Sequence, residues 1–389
     1  LKKTYFLIGG FMIKLKALKT SKQDVVIVGG GLGGLVAALL LVEQGHPVTL
    51  IEKKVYPFHR VCGEYVSNEV LGFLKRHQLF PDFLDLPLME TFEFSDTQGK
   101  AARLPLDLGG FGISRYLLDD WLYRLACERG VEVITGIQVT DLQFDSLEDR
   151  FRVALSDFTY REAYFVLGAF GKRSKLDQVL ERPFFSKRSP YIGVKYHIKT
   201  QGSRNTVALH NFDGGYCGIN AIEGDTFNLC YLGSREQLRE YGSIPEMEKN
   251  VLWKNPILQR IFQESDFLWE KPEVITEINF ERKLPVENHL LLLGDAAGLI
   301  TPLCGNGMAM AIHSAKLAAE ALQKGTNRQE VEKYYASSWN EQFYQRLGAG
   351  RAIQRLFGSG RGSVIARNLI EHIPFVARTL LKNTHGQPF

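Results

Sequence analysis

Asp24-Val25-Val26-Ile27-Val28-Gly29-Gly30-Gly31-Leu32-Gly33-Gly34 is the stretch on which the fold turns. It opens as a short apolar run rich in valine and isoleucine, the pattern of a strand buried in a parallel sheet. Glycines then fall at the three positions of GxGxxG, directly after that strand. Gly29 permits a tight turn, Gly31 lets the backbone approach a pyrophosphate at a helix N-terminus, and Gly34 lets the helix lie close to the sheet, with Gly33 between them. Leu35 to Gln44 is apolar on nearly every face and stops at Gly45, as a buried helix with a glycine C-cap would. Pro47 to Glu52 supplies a second strand and completes a βαβ unit. Glu52, followed by Lys53, stands 18 residues beyond Gly34, where a carboxylate accepts hydrogen bonds from ribose hydroxyls. An acid there favours FAD or NAD over NADP.

The same glycines settle a question about membranes. Val25 to Val42 carries no charge and is long enough to raise a transmembrane reading, but Gly29, Gly30, Gly31, Gly33 and Gly34 divide it into strand, turn and helix. Tyr5 to Ile13 is apolar with lysines before it, yet short and without a small-residue cleavage pattern. Residues 1–22 are therefore expected to be a disordered extension, with Met12 as a candidate start.

At 389 residues the chain exceeds what one hydrophobic core usually serves, so two domains sharing a seam are expected. With 45% hydrophobic and 23% charged residues it is neither disordered nor fibrous. A net charge of +4, from 47 basic and 43 acidic residues, excludes nucleic acid as the main partner. Cys62, Cys127, Cys217, Cys230 and Cys304 form no CxxC pair, so neither a disulfide framework nor a zinc site is expected, and a reducing cytoplasm fits. The histidines show no HExxH or HxH spacing, and no GxSxG elbow is present.

Helical periodicity marks Ser67 to Leu79 and Ser114 to Gly130; Val131 to Thr135, Gln138 to Phe144 and Phe151 to Ser156 read as strands. From about Pro190 to Phe280 the pattern changes to alternating runs such as Tyr191 to Thr200 and Thr226 to Leu232, the mark of an inserted antiparallel sheet. Leu290 to Leu293 is again fully apolar and returns the chain to the first domain. The expected division is residues 23–185 with 281–330 for the nucleotide domain, 186–280 for the substrate domain and 331–389 for a helical C-terminal segment.

Leu290-Leu-Leu-Leu-Gly294-Asp295-Ala296-Ala297-Gly298, then Pro302 and Gly305-Asn306-Gly307 ahead of an alanine-rich helix, resembles the GD motif of FAD-dependent oxidoreductases in the p-hydroxybenzoate hydroxylase superfamily, which includes geranylgeranyl reductases and flavin halogenases. The resemblance covers residues 24 to about 325. It implies an α/β fold, α+β overall, with a Rossmann-like FAD domain and an inserted antiparallel sheet. It further implies that Gly294 and Asp295 hold the ribityl chain of a non-covalent FAD, with Gly298 and Pro302 in the same loop. Gly305, Asn306, Gly307 and Met308 would lie against the flavin ring, where backbone N–H groups and the positive end of a helix dipole stabilise negative charge.

Pro57-Phe58-His59-Arg60-Val61-Cys62-Gly63-Glu64 is similar to the segment that geranylgeranyl reductases and halogenases carry after the ribose acid. That likeness places Arg60 at the pyrophosphate and Cys62 near the flavin. A thiol beside an arginine could ionise readily and act in catalysis, or simply pack as a small hydrophobe. Arg115 matches a family position whose arginine reaches the cofactor. One departure concerns the reductant: the family's GADGxxS stretch here reads Gly168-Ala169-Phe170-Gly171-Lys172-Arg173-Ser174. With Phe170 in place of the aspartate, direct use of NADPH or NADH is left open, although Lys172 and Arg173 could attract a phosphate. The halogenase WxWxIP signature is missing.

The resemblance implies first a monooxygenase hydroxylating an apolar aromatic or lipid-like molecule, and second a geranylgeranyl-reductase-like reductase of isoprenoid double bonds. A non-catalytic FAD-binding protein is the reading from another class. Tyr191, Tyr196, Phe212, Tyr216, Phe227 and Tyr231 suit an apolar substrate, as they would any sheet core. Residues 346–382 mix seven basic residues with one acid and many aliphatic side chains. This fits either an interfacial helix pair on anionic lipid at the inner face of a membrane or a helical cap with a basic outer face.

Overall fold

The computed structural model describes residues 6–8, 11–13, 22–300, 305–354, 359–382 and 385–389. β1 (Val25–Val28) is buried along its whole length. It leads through α1 (Leu32–Glu43) to β2 (Val48–Glu52), the expected βαβ unit. α1 ends in a Schellman motif: Gly45 takes a φ of +85°, its N–H donates to Val42 O at 2.9 Å, and the His46 N–H donates to Leu41 O at 3.0 Å. α2 (Arg115–Glu128) and α3 (Gly307–Lys324) pack against α1, which explains why α1 is apolar on nearly every side.

β3 (Glu132–Thr135), β4 (Phe165–Gly168) and β5 (Leu290–Leu292) complete the sheet in the order Val286–Glu287, β5, β4, β1, β2, β3. Ile27 is level with Leu50 on one side and Leu167 on the other, and Leu167 with Leu291. All these ladders are parallel; Val286–Glu287 alone runs antiparallel. The carboxyl ends of β1, β2, β4 and β5 therefore open on one crevice, the position at which α/β sheets bind ligands.

The second sheet runs in the order Asp266–Phe267, Tyr191–Lys199, Phe227–Ser234, Gly215–Ala221, Thr206–Phe212, Leu88–Ser95, Ala101–Gly112, Tyr65–Ser67. Its outer face buries Val194, Tyr196 and Tyr231 against Met247, Val251 and Leu258 from the helices after it. Two expectations are corrected here. Three strands between Tyr65 and Gly112, assigned from sequence to the nucleotide domain, belong to this sheet. The sheet is also not wholly antiparallel, because Leu88–Ser95 and Thr206–Phe212 pair in parallel. Strands that enter a sheet from a distant stretch carry no local mark of their partner.

Helices Arg328–Gln354, Gly360–His372 and Pro374–Lys382 follow. Tyr335, Trp339 and Phe343 of the first are buried in the core of the first sheet. Of the expected disordered extension, Phe6–Ile8 and Phe11–Ile13 pair as a small antiparallel ladder, and the other residues up to 21 lie outside the described ones. Among the described residues no helix is long and apolar enough to cross a membrane.

Candidate cofactor and active site

The crevice begins at Gly29, whose φ is +105° and where a Cβ would lie 2.5 Å from the Ala169 carbonyl oxygen. Gly34 is closed in the same way: a Cβ there would be 2.0 Å from Gly29 O. Gly33 lies against α3 and Leu293, with a Cβ position 3.5 Å from Ala311 O. Gly31 differs, since its Cβ position meets only Arg115 Nη2, at 3.7 Å. α1 starts there without a side-chain cap, so the positive end of its dipole faces the crevice.

Glu52 is buried at the tip of β2. Its Oε2 accepts from the Gly30 N–H at 2.8 Å and Arg60 Nη2 at 3.2 Å, and its Oε1 accepts from the Lys54 N–H at 3.0 Å. Arg60 Nε–H also donates to Asp119 Oδ2 at 3.1 Å. Arg115 donates to both oxygens of the same carboxylate, each at 2.7 Å. One buried aspartate thus holds two arginines side by side in front of Gly31, where a pyrophosphate would need them.

Across the crevice, Asp295 follows β5 in a turn through Gly294, whose N–H donates to Ser314 Oγ at 2.9 Å. No described side chain hydrogen-bonds its carboxylate; burial pushes its pKa up while Lys283, Lys172 and Arg115 pull it down. The loop rests on two buried cations. Lys283 Nζ donates to Asp295 O at 2.9 Å and Lys172 O at 2.7 Å, tying the turns after β5 and β4 together. Arg182 Nη1 donates to Ala296 O at 3.0 Å and Asp177 Oδ1 at 2.8 Å. Burial, with Arg182 adding to it, lowers Lys283 to about 8; burial likewise lowers Lys172 to about 8.

The third wall is the segment carrying Cys62. Glu64, with 0% side-chain exposure, accepts from Lys195 Nζ at 2.5 Å, from the Arg115 N–H at 2.7 Å, and lies 2.7 Å from His197 Nε2. Burial alone would raise the Glu64 pKa, but Lys195 and His197 outweigh it and hold the carboxyl below its usual range. Lys195 also donates to Arg60 O at 3.1 Å, and Asn228 Nδ2 to Gly63 O at 2.9 Å. Cys62 is therefore held by the second sheet on both sides. It is within electrostatic reach of Cys230, the register partner of Lys195, and of Arg115, and Lys172 reaches both Cys230 and Asp295. Side chains from six separate segments of the chain converge where the two sheets meet.

The residues present fit FAD: an open glycine backbone at a helix N-terminus, paired arginines, a buried acid at the tip of β2 and an aspartate without a donor among the described residues follow one another along the crevice. A family model described as FAD binding domain matches residues 22–337. The chain belongs to this family. This FAD-binding enzyme is 25% identical over 363 residues to tryptophan 2-halogenase of Chondromyces crocatus, covering 86% of the chain and 66% of that relative's length. To digeranylgeranylglycerophospholipid reductase of Methanosarcina mazei it is 25% identical over 340 residues, 82% of the chain and 81% of the relative. It also superposes on the structure of P. aeruginosa PqsL in complex with 2-aminobenzoylacetate with a TM-score of 0.70 at 18% identity, covering 88% of the chain and 98% of PqsL. It is an FAD-dependent oxidoreductase.

Several expected site residues of this flavoenzyme are placed differently. Cys62 is not an easily ionised thiol: burial raises its pKa, and Arg115, which opposes the rise, does not overcome it. Gly298 serves helix packing, with a Cβ position 3.0 Å from Leu347 and 3.2 Å from Trp339. Met308 is buried in the core behind Gly307, which opens α3, and Asn306 stands at the N-cap position of that helix with its side chain donating to Glu69 Oε1 at 3.2 Å and making no capping hydrogen bond. Gly305 has a φ of +62° against Tyr65. Lys53 is exposed at the end of β2. Arg173 is engaged by Phe185 O at 2.8 Å and by Glu277, so of the pair offered for a phosphate only Lys172 faces the crevice. Pro302 lies outside the described residues. Sequence reasoning missed Asp119, Glu64, Lys195, Lys283 and Arg182. Asp119 carried a signal, since it stands four residues after Arg115 on one helix. Glu64 and Lys195 have partners 131 residues apart in sequence, and Arg182 and Lys283 donate to backbone carbonyls, which leave no mark in the sequence.

Proposed function

We propose that this flavoenzyme is a monooxygenase that hydroxylates an apolar aromatic or lipid-like molecule held between the Asp295 loop and the inner face of the second sheet. The observation that carries the reading is the composition of that face. Phe94, Leu104, Leu209, Tyr216 and Leu232 pack there with Leu299 from the Asp295 loop. This apolar part of the face excludes water, while the buried charges at its crevice end, Lys195 and Glu64, are paired with each other. FAD, when bound, supplies the redox chemistry. The chain's own residues bind and orient it: α1 and the two arginines at the pyrophosphate, Glu52 at the ribose, Asp295 at the ribityl chain, and the start of α3 at the ring edge.

A second reading, reduction of an isoprenoid double bond, is favoured by one specific feature. Burial keeps Cys62 and Cys230 protonated, with Cys230 pushed up to about 12. A thiol so weakly acidic gives its proton only to a strong base, such as the carbon left when hydride adds to a double bond. Aerobic and anaerobic turnover of a lipid extract by FAD-loaded protein whose flavin is reduced by dithionite or light, with product masses and oxygen uptake recorded, separates the two. Gain of one oxygen atom with oxygen uptake supports hydroxylation, and gain of two hydrogens without oxygen supports reduction. Neither product from FAD-loaded protein would leave a binding protein.

A further inference from the structure

We propose that the C-terminal helix pair, Gly360–His372 and Pro374–Lys382, is the surface by which the enzyme rests on an anionic bilayer, with its apex in the headgroup boundary. The inner face of the pair is fixed to the protein. Ile370 and Ala377 are buried in the cluster that covers the inner face of the second sheet. Thr97 N–H donates to Ser363 Oγ at 3.4 Å, and Arg367 pairs with Asp96 at 3.1 Å.

The outer face is left uncovered and has a particular shape. Ile365, Ile373, Phe375 and Val376 are 63%, 50%, 79% and 39% exposed. Three of them adjoin Pro374, where the first helix stops and the second begins, so they project together from the bend. Arg361 and Arg378 are exposed on either side in sequence. Glu371, the one acid in the two helices, shares Arg367 with Asp96, and no described acid pairs with Arg361 or Arg378.

The size of this apex selects its occupant. A stable protein partner needs roughly 800 Å² on each side, far more than three side chains at a bend provide. Interfacial membrane binding needs only a few inserted apolar groups and nearby cations. Anionic phospholipid matches both the apolar apex and the charge. Because the same helices roof the apolar face described above, a molecule leaving the bilayer would reach the crevice beside them. That last consequence rests on the apolar-substrate reading; docking itself does not.

The test is sedimentation of the FAD-loaded full chain with vesicles of phosphatidylcholine doped with phosphatidylserine, and of phosphatidylcholine alone. The wild type should partition onto the anionic vesicles and less so as salt rises. The variant I373S/F375S/V376S should lose at least about tenfold in partition. The variant R361Q/R378Q should lose about thirtyfold on anionic vesicles and little on neutral ones. All five positions are exposed, and unchanged FAD content and melting confirm folding. Absence of wild-type partition, or equal partition of wild type and the triple variant, overturns the proposal. So does self-association that the triple variant abolishes without any vesicle binding, which would make the apex a contact between copies. None of these readouts requires turnover, so their failure is separate from failure of the proposed reaction.

Discussion

Replacing Lys283 with Met tests the buried cation layer under the Asp295 loop. At neutral pH the substitution removes two hydrogen bonds from a charged donor, at 2.7 and 2.9 Å, each worth about 1.5–3 kcal/mol. It also relieves a cost. A lysine lowered from 10.5 to about 8 is destabilising as a cation by about 3 kcal/mol, at 1.36 kcal/mol for each unit. The two effects largely offset, leaving a net loss of about 0–3 kcal/mol near pH 7. The pH dependence carries the sharper signature. Between about 8 and 10.5 the unfolded chain keeps this proton and the folded protein does not, so the wild type gains stability from this group as pH rises. Lys283→Met lacks that gain, and the gap between the two proteins should widen by about 2 kcal/mol between about pH 7 and about pH 9.5. Urea unfolding of both proteins at the two pH values measures it, and taking the difference removes contributions from Lys172 and the cysteines. A gap that does not change with pH would refute the assignment of Lys283 as a buried cation under the loop.

Three further outcomes are expected. Asp295→Ala should weaken FAD binding by about 1–3 kcal/mol in a fluorescence titration, and unchanged affinity would show that the ribityl contact lies elsewhere. NADPH alone should reduce the flavin well below a turnover rate on the order of 10 per second, because Phe170 replaces the family aspartate and Arg173 is already engaged; stopped-flow reduction at that rate would contradict this. Burial raises Glu248 to about 7, against hydrogen bonds from Tyr231 and Tyr196 at 2.8 and 3.0 Å. The folded state thus binds a proton there that the unfolded state releases above 4.5, so stability from this group falls as pH rises from about 4.5 to 7. Glu248→Gln should flatten that slope in a thermal melt series.

The parts of this molecule that were legible in sequence are those in which one local pattern fixes one local geometry. The run Asp24 to Gly34, the uniformly apolar helix ending at Gly45, Glu52 and Gly294-Asp295 each fix their place in the fold in a few adjacent residues. Lys195 and Glu64 do not, because the meaning of each depends on the other, 131 residues away. The strand Leu88–Ser95 was unread for a related reason: its parallel neighbour, Thr206–Phe212, comes only after β3 and β4 of the first sheet. Arg115 was singled out, but the bond that orients it required seeing Asp119 as a shared anchor for Arg60 as well. Of the two readings open for Cys62, the easily ionised thiol fails because a neighbouring cation is visible in a motif while burial is not.

The second sheet, joined from two stretches of chain far apart, makes the molecule indivisible. A fragment cut at residues 186–280 would retain Thr206–Phe212 without Leu88–Ser95, leaving a row of unpaired N–H and C=O groups along an apolar strand, a template for aggregation. During synthesis the earlier strands would wait in the same condition until residue 212 had emerged, since such long-range pairing closes late. The nascent enzyme therefore offers a sticky half-sheet to its surroundings for much of its translation, and its yield should respond to chaperone supply more than to the stability of the finished fold.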